Sequence, residues 1–237
     1  MAALPFSYSI RRSQRAKKMR IAVSSHKIEV IAPPQIAETL LHQFVTDHAQ
    51  WIIDALQKVK HRQTNAPAPL SFQQGSQIAF QGANYPLTLT PSPLKRIKIE
   101  FDNGWFARIP NTLIYTDCSE QIKIALIAWL KQQTQNQVTE LVARHAQKHQ
   151  LFPRSITIKT QKSRWGSCGI HNDIHINWLL MMAPASVLEY VVVHELCHIQ
   201  VRNHSARFWH LVAEHLPNYQ HSQHWLKCYG GELMSRF

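Results

Sequence analysis

Long apolar runs are missing from this chain. No stretch of about 18 consecutive apolar residues occurs, and Met1-Ala2-Ala3-Leu4-Pro5 has no basic segment leading into an apolar one. Neither a membrane span nor a secretory leader is therefore expected, and no membrane partner. Cysteine is sparse: the four residues Cys118, Cys168, Cys197 and Cys228 lie far apart with no C-x-x-C pair. That usage fits a reducing cytoplasm and excludes a disulfide scaffold or a cysteine-based zinc knuckle. Glycine numbers only 7 in 237 residues, and no G-x-x-x-x-G-K-[ST] run is present, so a phosphate loop of that type is excluded. Acidic side chains are few, 14 against 26 Lys and Arg, leaving a net charge of +12 that draws polyanions towards the protein. What is plentiful is apolar material, 45% of the chain, enough for one large domain or two modest ones and too much for disorder.

Against that background, His194-Glu195-Leu196-Cys197-His198 stands out. On a helix the two histidines of an HExxH run project about 40° apart and about 6 Å along the axis, so both imidazoles reach one tetrahedral ion. Glu195 flanks the pair, in place for a base acting on a metal-activated water rather than for a third ligand. Leu196 points backwards into the core, and Cys197 faces away from the ion as a buried structural thiol. Coincidence is a weak rival even with 15 histidines, since this composition yields roughly 0.04 chance matches. The apolar run Val187 to Val193 reads as the buried start of the same helix, with Pro184 at its first turn.

A third ligand is needed, and His204, six residues past His198, has the spacing of the extended HExxHxxGxxH motif. The glycine position of that motif is Val201, which resists a positive φ, so the chain is expected to turn by another route, at Asn203. Ser205 is placed to cap a second helix running to Leu216 and stopped by Pro217. Glu214, His210 and His215 are rival third ligands. Glu214 lies 16 residues beyond His198 without the acidic surroundings expected of a His-His-Glu site.

The remaining pattern predicts an α+β chain. Alternation at Phe6 to Ile10, Met19 to Val23 and Ile28 to Ala32 predicts short antiparallel strands, and the stripe from Ala37 through Leu40, Leu41, Phe44, Val45, His48, Trp51, Ile52 and Ala55 to Val59 predicts one long core-facing helix. Prolines in 64–69 read as a connector. Strand-sized runs at Gln77 to Phe80, Pro86 to Thr90, Lys95 to Phe101 and Trp105 to Ile109 follow, with Asn103-Gly104 a hairpin turn. From Ser119, read as an N-cap, helix is expected to about His149 with a polar interruption near Gln132 to Gln137; then come strands at Ser155 to Thr160 and Ile174 to Trp178. The expected division is a β-rich N-terminal module over 1–115 and a catalytic domain over 116–237.

Ser163-Arg164-Trp165-Gly166-Ser167-Cys168, Ile176-Asn177-Trp178-Leu179-Leu180, the HExxH run, and Asn203-His204-Ser205 before Phe208-Trp209 closely resemble the YgjP-like metallopeptidase-domain family, a relative of the SprT-like zincins. Arg11 to Lys17 and Trp51-Ile52 extend the likeness over nearly the whole chain. The resemblance implies a zincin-like catalytic domain, zinc on His194, His198 and His204, and Glu195 as the catalytic carboxylate. The expected function is a zinc-dependent hydrolase, a metallopeptidase, with one Zn2+ per chain and peptide or protein substrates. Arg164, His175 and Asn177 are candidates for contacting substrate or developing oxyanion charge. Two alternatives remain open, a metal-dependent nucleoside triphosphate hydrolase and a nucleic-acid-associated zinc protein. Both lean on Arg11, Arg12, Arg15, Lys17, Lys18 and Arg20, six cations within a 20-residue stretch free of acid, as contacts for nucleotide or nucleic acid. The bland alternative for that run is a solvated hairpin loop.

Overall fold

Apolar residues at Ile28, Val30 and Ala32 take one face of a strand by simple alternation, and that strand becomes the centre of the first sheet. A computed structural model describes residues 4–24, 27–64 and 70–236. Its contacts divide the chain into two units, Met1–Pro67 and Ala68–Phe237. In the first unit β1 (Ser9–Arg12), β2 (Arg20–Val23) and β3 (Ile28–Ala32) form a sheet in the order β1-β3-β2. β2 and β3 are an antiparallel pair, but β1 runs parallel to β3. The basic connection between β1 and β2 is thus a crossing over the end of β3, not the expected hairpin loop. Arg11 pairs with Glu29 at 2.9 Å, and Arg12 donates to the carbonyls of Pro33, Pro34 and Ile36, so two of the six cations tie this crossing to its own unit.

Leu41, Val45 and Ile52 repeat at helical spacing and are fully buried against β3. The single helix expected there is two, α1 (Glu38–Asp47) and α2 (Ala49–Thr64), stepped at His48. The cause is local: His48 Nδ1 lies 2.8 Å from the Phe44 carbonyl, while the His48 N–H moves to the Val45 carbonyl at 3.2 Å. A side chain has taken the backbone acceptor that would have continued the ladder. Leu40 and Trp51, counted in the core stripe, are 56% and 52% exposed.

The second unit holds everything from the connector onward. β4 (Gln77–Phe80), β5 (Ala83–Ser92), β6 (Lys98–Phe101) and β7 (Trp105–Pro110) form a sheet in the order β4-β5-β7-β6. Asn103, at φ 48°, makes the β6–β7 turn as its sequence predicts. The inward residues Ile78, Leu87, Ile99 and Trp105 share one core with Ile122, Leu126 and Leu130 of α3 (Ser119–Ala146) and with Val187, Leu188 and Val191. A boundary at residue 115 would cut through that core, so the contacts thin at 67 instead. α3 is unbroken for 28 residues. Its buried stripe steps by four through Ile122, Leu126, Leu130, Thr134, Val138, Val142 and Ala146, and Thr134 crosses the polar segment because its hydroxyl bonds the Leu130 carbonyl at 2.7 Å. Ser119 is not the cap; its N–H is held by Asp117 at 3.0 Å.

β8 (Ser155–Lys159), β9 (Gly166–Cys168) and β10 (Asp173–Asn177) make a third sheet, order β8-β10-β9. After a tight helical turn at Trp178–Met182 come α4 (Ala185–Gln200), α5 (Ala206–His215) and α6 (Tyr219–Ser235). The start of α4 is fixed by the β4–β5 turn. Gln81 and Gly82 donate backbone N–H to the carbonyls of Met181 and Met182 at 2.9 and 3.1 Å. Gly82 sits at φ +87°, and a Cβ there would lie 3.0 Å from Pro184 Cγ, so glycine alone allows this approach. All four cysteines are free. No helix among the described residues is long and apolar enough to cross a membrane.

Candidate metal centre

α4 is rigid because it is enclosed. Val187, Leu188, Val191, Val192, Val193, Leu196 and Cys197 are all buried, while His194 and His198 stay part-exposed on one flank. Leu196 is fully buried as its backward projection requires, and Cys197 is a buried thiol pushed up to about 12 by desolvation. The helix ends at Val201 with φ −127° and ψ 103°, an extended exit. The turn is made without any positive φ. Asn203 contributes differently from the expectation, its carboxamide oxygen accepting the Ser205 N–H at 3.3 Å, an Asx turn that sets up α5. Ser205 occupies the N-cap position without a side-chain capping bond.

This exit swings His204 back over the helix. One ring nitrogen from each of His194, His198 and His204 falls within 4.8 Å of the others, with the Nε2 atoms of His194 and His204 3.0 Å apart. His198 Nδ1 lies 3.0 Å from the Val201 carbonyl, which assigns the proton to that nitrogen and turns Nε2 into the site. Phe208, fully buried on α5, touches all three rings at centroid distances of 4.9, 4.5 and 4.9 Å. Trp209 stacks on His204 at 5.6 Å and Tyr219 on Trp209 at 5.4 Å. Burial, then the neighbouring imidazoles, hold His194 down to about 3, so the ring presents a lone pair. Three imidazoles with nitrogens converging on one point are a donor set that suits zinc and leaves a fourth position open.

Glu195 is 5% exposed and lies against β9. Its carboxyl is raised to about 7 by desolvation, against the opposing pull of the Arg164 charge and a hydrogen bond from the Cys168 N–H. The pocket is shaped for this carboxylate. A Cβ on Gly166 would stand 2.6 Å from Oε1 and 2.8 Å from Cγ of Glu195. β9 is also an edge strand. The Trp165 carbonyl and the Gly169 N–H face β10, each in a 2.8 Å bond, so alternation turns the backbone groups of Gly166 and Cys168 outward, towards the carboxylate.

Of the other sequence candidates, Arg164 alone belongs here, exposed and close enough for its charge to act on Glu195. His175 does not. It shares its side of the sheet with Ser167 and Thr157 in register, while Gly166 and Ile176 share the side that meets Glu195; His175 Nε2 instead meets Lys159 Nζ at 3.1 Å. Asn177 is fully buried and internally spent. It donates to the Gln161 and Arg164 carbonyls at 2.8 and 3.3 Å and accepts from Leu179, so it holds the approach to β9 rather than a substrate. Glu214 and His210, rivals for the third ligand, bond one another at 3.0 Å, and the other Glu214 oxygen is 2.9 Å from His149. The roles of Gly166 and the Cys168 N–H escaped the sequence reading. The signal was there in a glycine-poor chain that keeps a glycine at 166, but only the fold says what it faces.

The family model described as YgjP-like, metallopeptidase domain, matches residues 17–229. Comparison with curated proteins and with solved structures gave no match in either.

Proposed function

Because the chain belongs to the YgjP-like metallopeptidase-domain family, a family whose activity implies a metal ion and a peptide or protein substrate, we propose that His194, His198 and His204 hold one zinc ion and that the centre cleaves peptide bonds by hydrolysis. The observation that carries this reading is the convergence of three imidazole nitrogens beside a buried glutamate that makes no contact as a fourth donor. Zinc, when bound there, supplies Lewis-acid chemistry, drawing the pKa of a water from about 15.7 towards about 7. Glu195 accepts that proton on its carboxylate and delivers it to the departing amine. The Arg164 guanidinium faces the charge that develops on the carbonyl oxygen. With the Cys168 N–H engaged by Glu195, the outward Gly166 N–H and carbonyl and the Cys168 carbonyl are left for an extended peptide to pair with, fixing the scissile bond over Glu195.

The phosphoanhydride and nucleic-acid alternatives lose support from Arg11 and Arg12, which are engaged within the first unit. The deciding experiment presents zinc-loaded protein with unstructured polypeptides and with nucleoside triphosphates. Peptide cleavage is expected, with Glu195→Gln keeping its zinc while turnover drops by roughly 10²-fold or more. Triphosphate hydrolysis without peptide cleavage, or loss of zinc from the Gln variant, would overturn the reading.

A further inference from the structure

Arg202 leaves the end of α4 two residues before His204, and its exposed position would ordinarily let its guanidinium wander in water. Instead it spans to the β9–β10 turn. Nη1 donates to the Gly169 carbonyl at 2.8 Å and approaches Cys168 Sγ at 3.4 Å; Nη2 reaches the Ile170 carbonyl at 3.4 Å and the Asn172 carboxamide oxygen. None of these acceptors is a carboxylate. The turn itself is closed by Gly169 N–H to Asp173 carbonyl at 2.8 Å and Asn172 N–H to Gly169 carbonyl at 3.0 Å, with Asn172 at φ 63°. A planar fork with fixed directions suits this set of oxygens, where an ammonium would satisfy one at a time.

The two ends of this bridge are the two halves of the centre. On one side, Val201 supplies the carbonyl that orients His198, and His204 follows at once. On the other, β9 closes directly on Glu195, where a Cβ on Gly166 would stand 2.6 Å from its Oε1, and the Cys168 N–H is turned to its carboxylate. We propose that Arg202 is a positioning residue that latches the β9 edge onto the ligand-bearing loop, so that the glutamate, the strand offered to substrate and the three imidazoles keep one register. The role rests on the peptidase reading for its kinetic consequence but not for its structural one.

The test compares wild type, Arg202→Ala and Arg202→Lys by three measurements: zinc content, steady-state kinetics on an extended peptide, and amide hydrogen exchange by segment. The latch predicts wild-type zinc content, faster exchange confined to residues 166–172 with α4 unchanged, and a kcat/KM about 10- to 100-fold lower, the range for small misplacements of reacting groups. Lysine should fail nearly as badly as alanine, and added guanidinium ion should restore part of the loss to the alanine variant. Unchanged exchange over 166–172 overturns the latch whether or not the protein cleaves peptides. Exchange that quickens across α4 as well overturns it in favour of a general structural role. If wild type cleaves no peptide while the exchange prediction holds, the peptidase reading falls and the latch stands.

Discussion

The second unit carries two clusters of three histidines, with ring separations of similar size where their rings meet. His194, His198 and His204 have ring centroids 4.7 to 5.0 Å apart; His215 stands 5.4 Å from His145 and 4.9 Å from His149. What separates them is where the nitrogens point and what they meet: among the described residues only the first triad brings one nitrogen from each ring within 4.8 Å of the others, and carboxylates sit on the second. Glu189 takes His145 Nε2 at 2.8 Å, Glu214 takes His149 at 2.9 Å, and the remaining contact is His145 Nδ1 to His215 Nδ1 at 3.3 Å. Through these contacts His145 joins α3 to Glu189 of α4 and to His215 of α5. In the first triad Glu195 is turned aside by the Cys168 N–H and the hollow at Gly166, so no carboxylate competes for the imidazole lone pairs. Clustering of rings alone does not make a metal centre; the nitrogens must converge and be left unclaimed by neighbouring acids.

The sharpest way to break this contrast is to remove one ring from each triad and measure bound metal. His204→Ala should lower zinc affinity by well over ~10²-fold, beyond the loss from an outer-shell partner, whereas His149→Ala should keep full zinc occupancy. Equal loss from both would mean that the two triads are not different in kind.

Next in size is Gly166→Ala. The added methyl must push a carboxylate that β9 and the helix both confine, so turnover should fall by ~10-fold or more with zinc content and far-UV circular dichroism unchanged. Wild-type kinetics from this variant would show that the hollow does not set the position of Glu195.

The second triad should declare itself in acid. Burial first, then the charges of His149, His145 and Lys148, holds His215 down to about 4 from its ordinary 6.5. A group whose folded pKa is lowered takes up its proton sooner in the unfolded chain, so its contribution is intact above about 6.5 and is lost as pH falls towards about 4. Denaturant unfolding between those limits should show stability falling with acid, with a shallower slope in His215→Gln. An identical slope in the two proteins would remove His215 as a source.

The smallest effect is expected in the first unit. Arg15, Lys17, Lys18 and Arg20 remain as candidate polyanion contacts after Arg11 and Arg12 are set aside. Replacing these four with Gln should flatten the log-log salt dependence of polyanion binding by about one unit per lost phosphate contact; an unchanged slope would leave the run as a solvated crossing.

Much of the centre was legible because it is local in sequence. HExxH fixes the direction of three side chains through helix geometry alone, and His204 follows at a spacing that the exit at Val201 then realises with extended rather than left-handed backbone. His175 and Asn177 failed for the opposite reason. Alternation says which residues share a face of a strand, but not which face the catalytic helix covers, and that depends on the register of β9 against β10. Two helical expectations failed by side-chain competition of opposite outcome. His48 took a backbone acceptor and stepped a helix that looked continuous; Thr134 satisfied its own hydroxyl and carried α3 through a segment that looked broken.

The contact of Gly82 with Pro184 has a consequence for how such a protein could be divided or recombined. The β4–β5 turn is a doorstop for Pro184, the residue that caps α4, so the four-stranded sheet is part of the mould in which the HExxH helix is cast. A gene fragment opening at codon 116 would carry every candidate ligand and none of that mould, and Leu126, Leu130 and Val191 would lose the apolar surface they share with Ile78, Leu87 and Trp105. A fragment opening at codon 68 keeps both. The smallest transferable piece of this chemistry is therefore larger than its motif implies, and a graft of the site into another scaffold has to bring along a sheet that contributes no ligand.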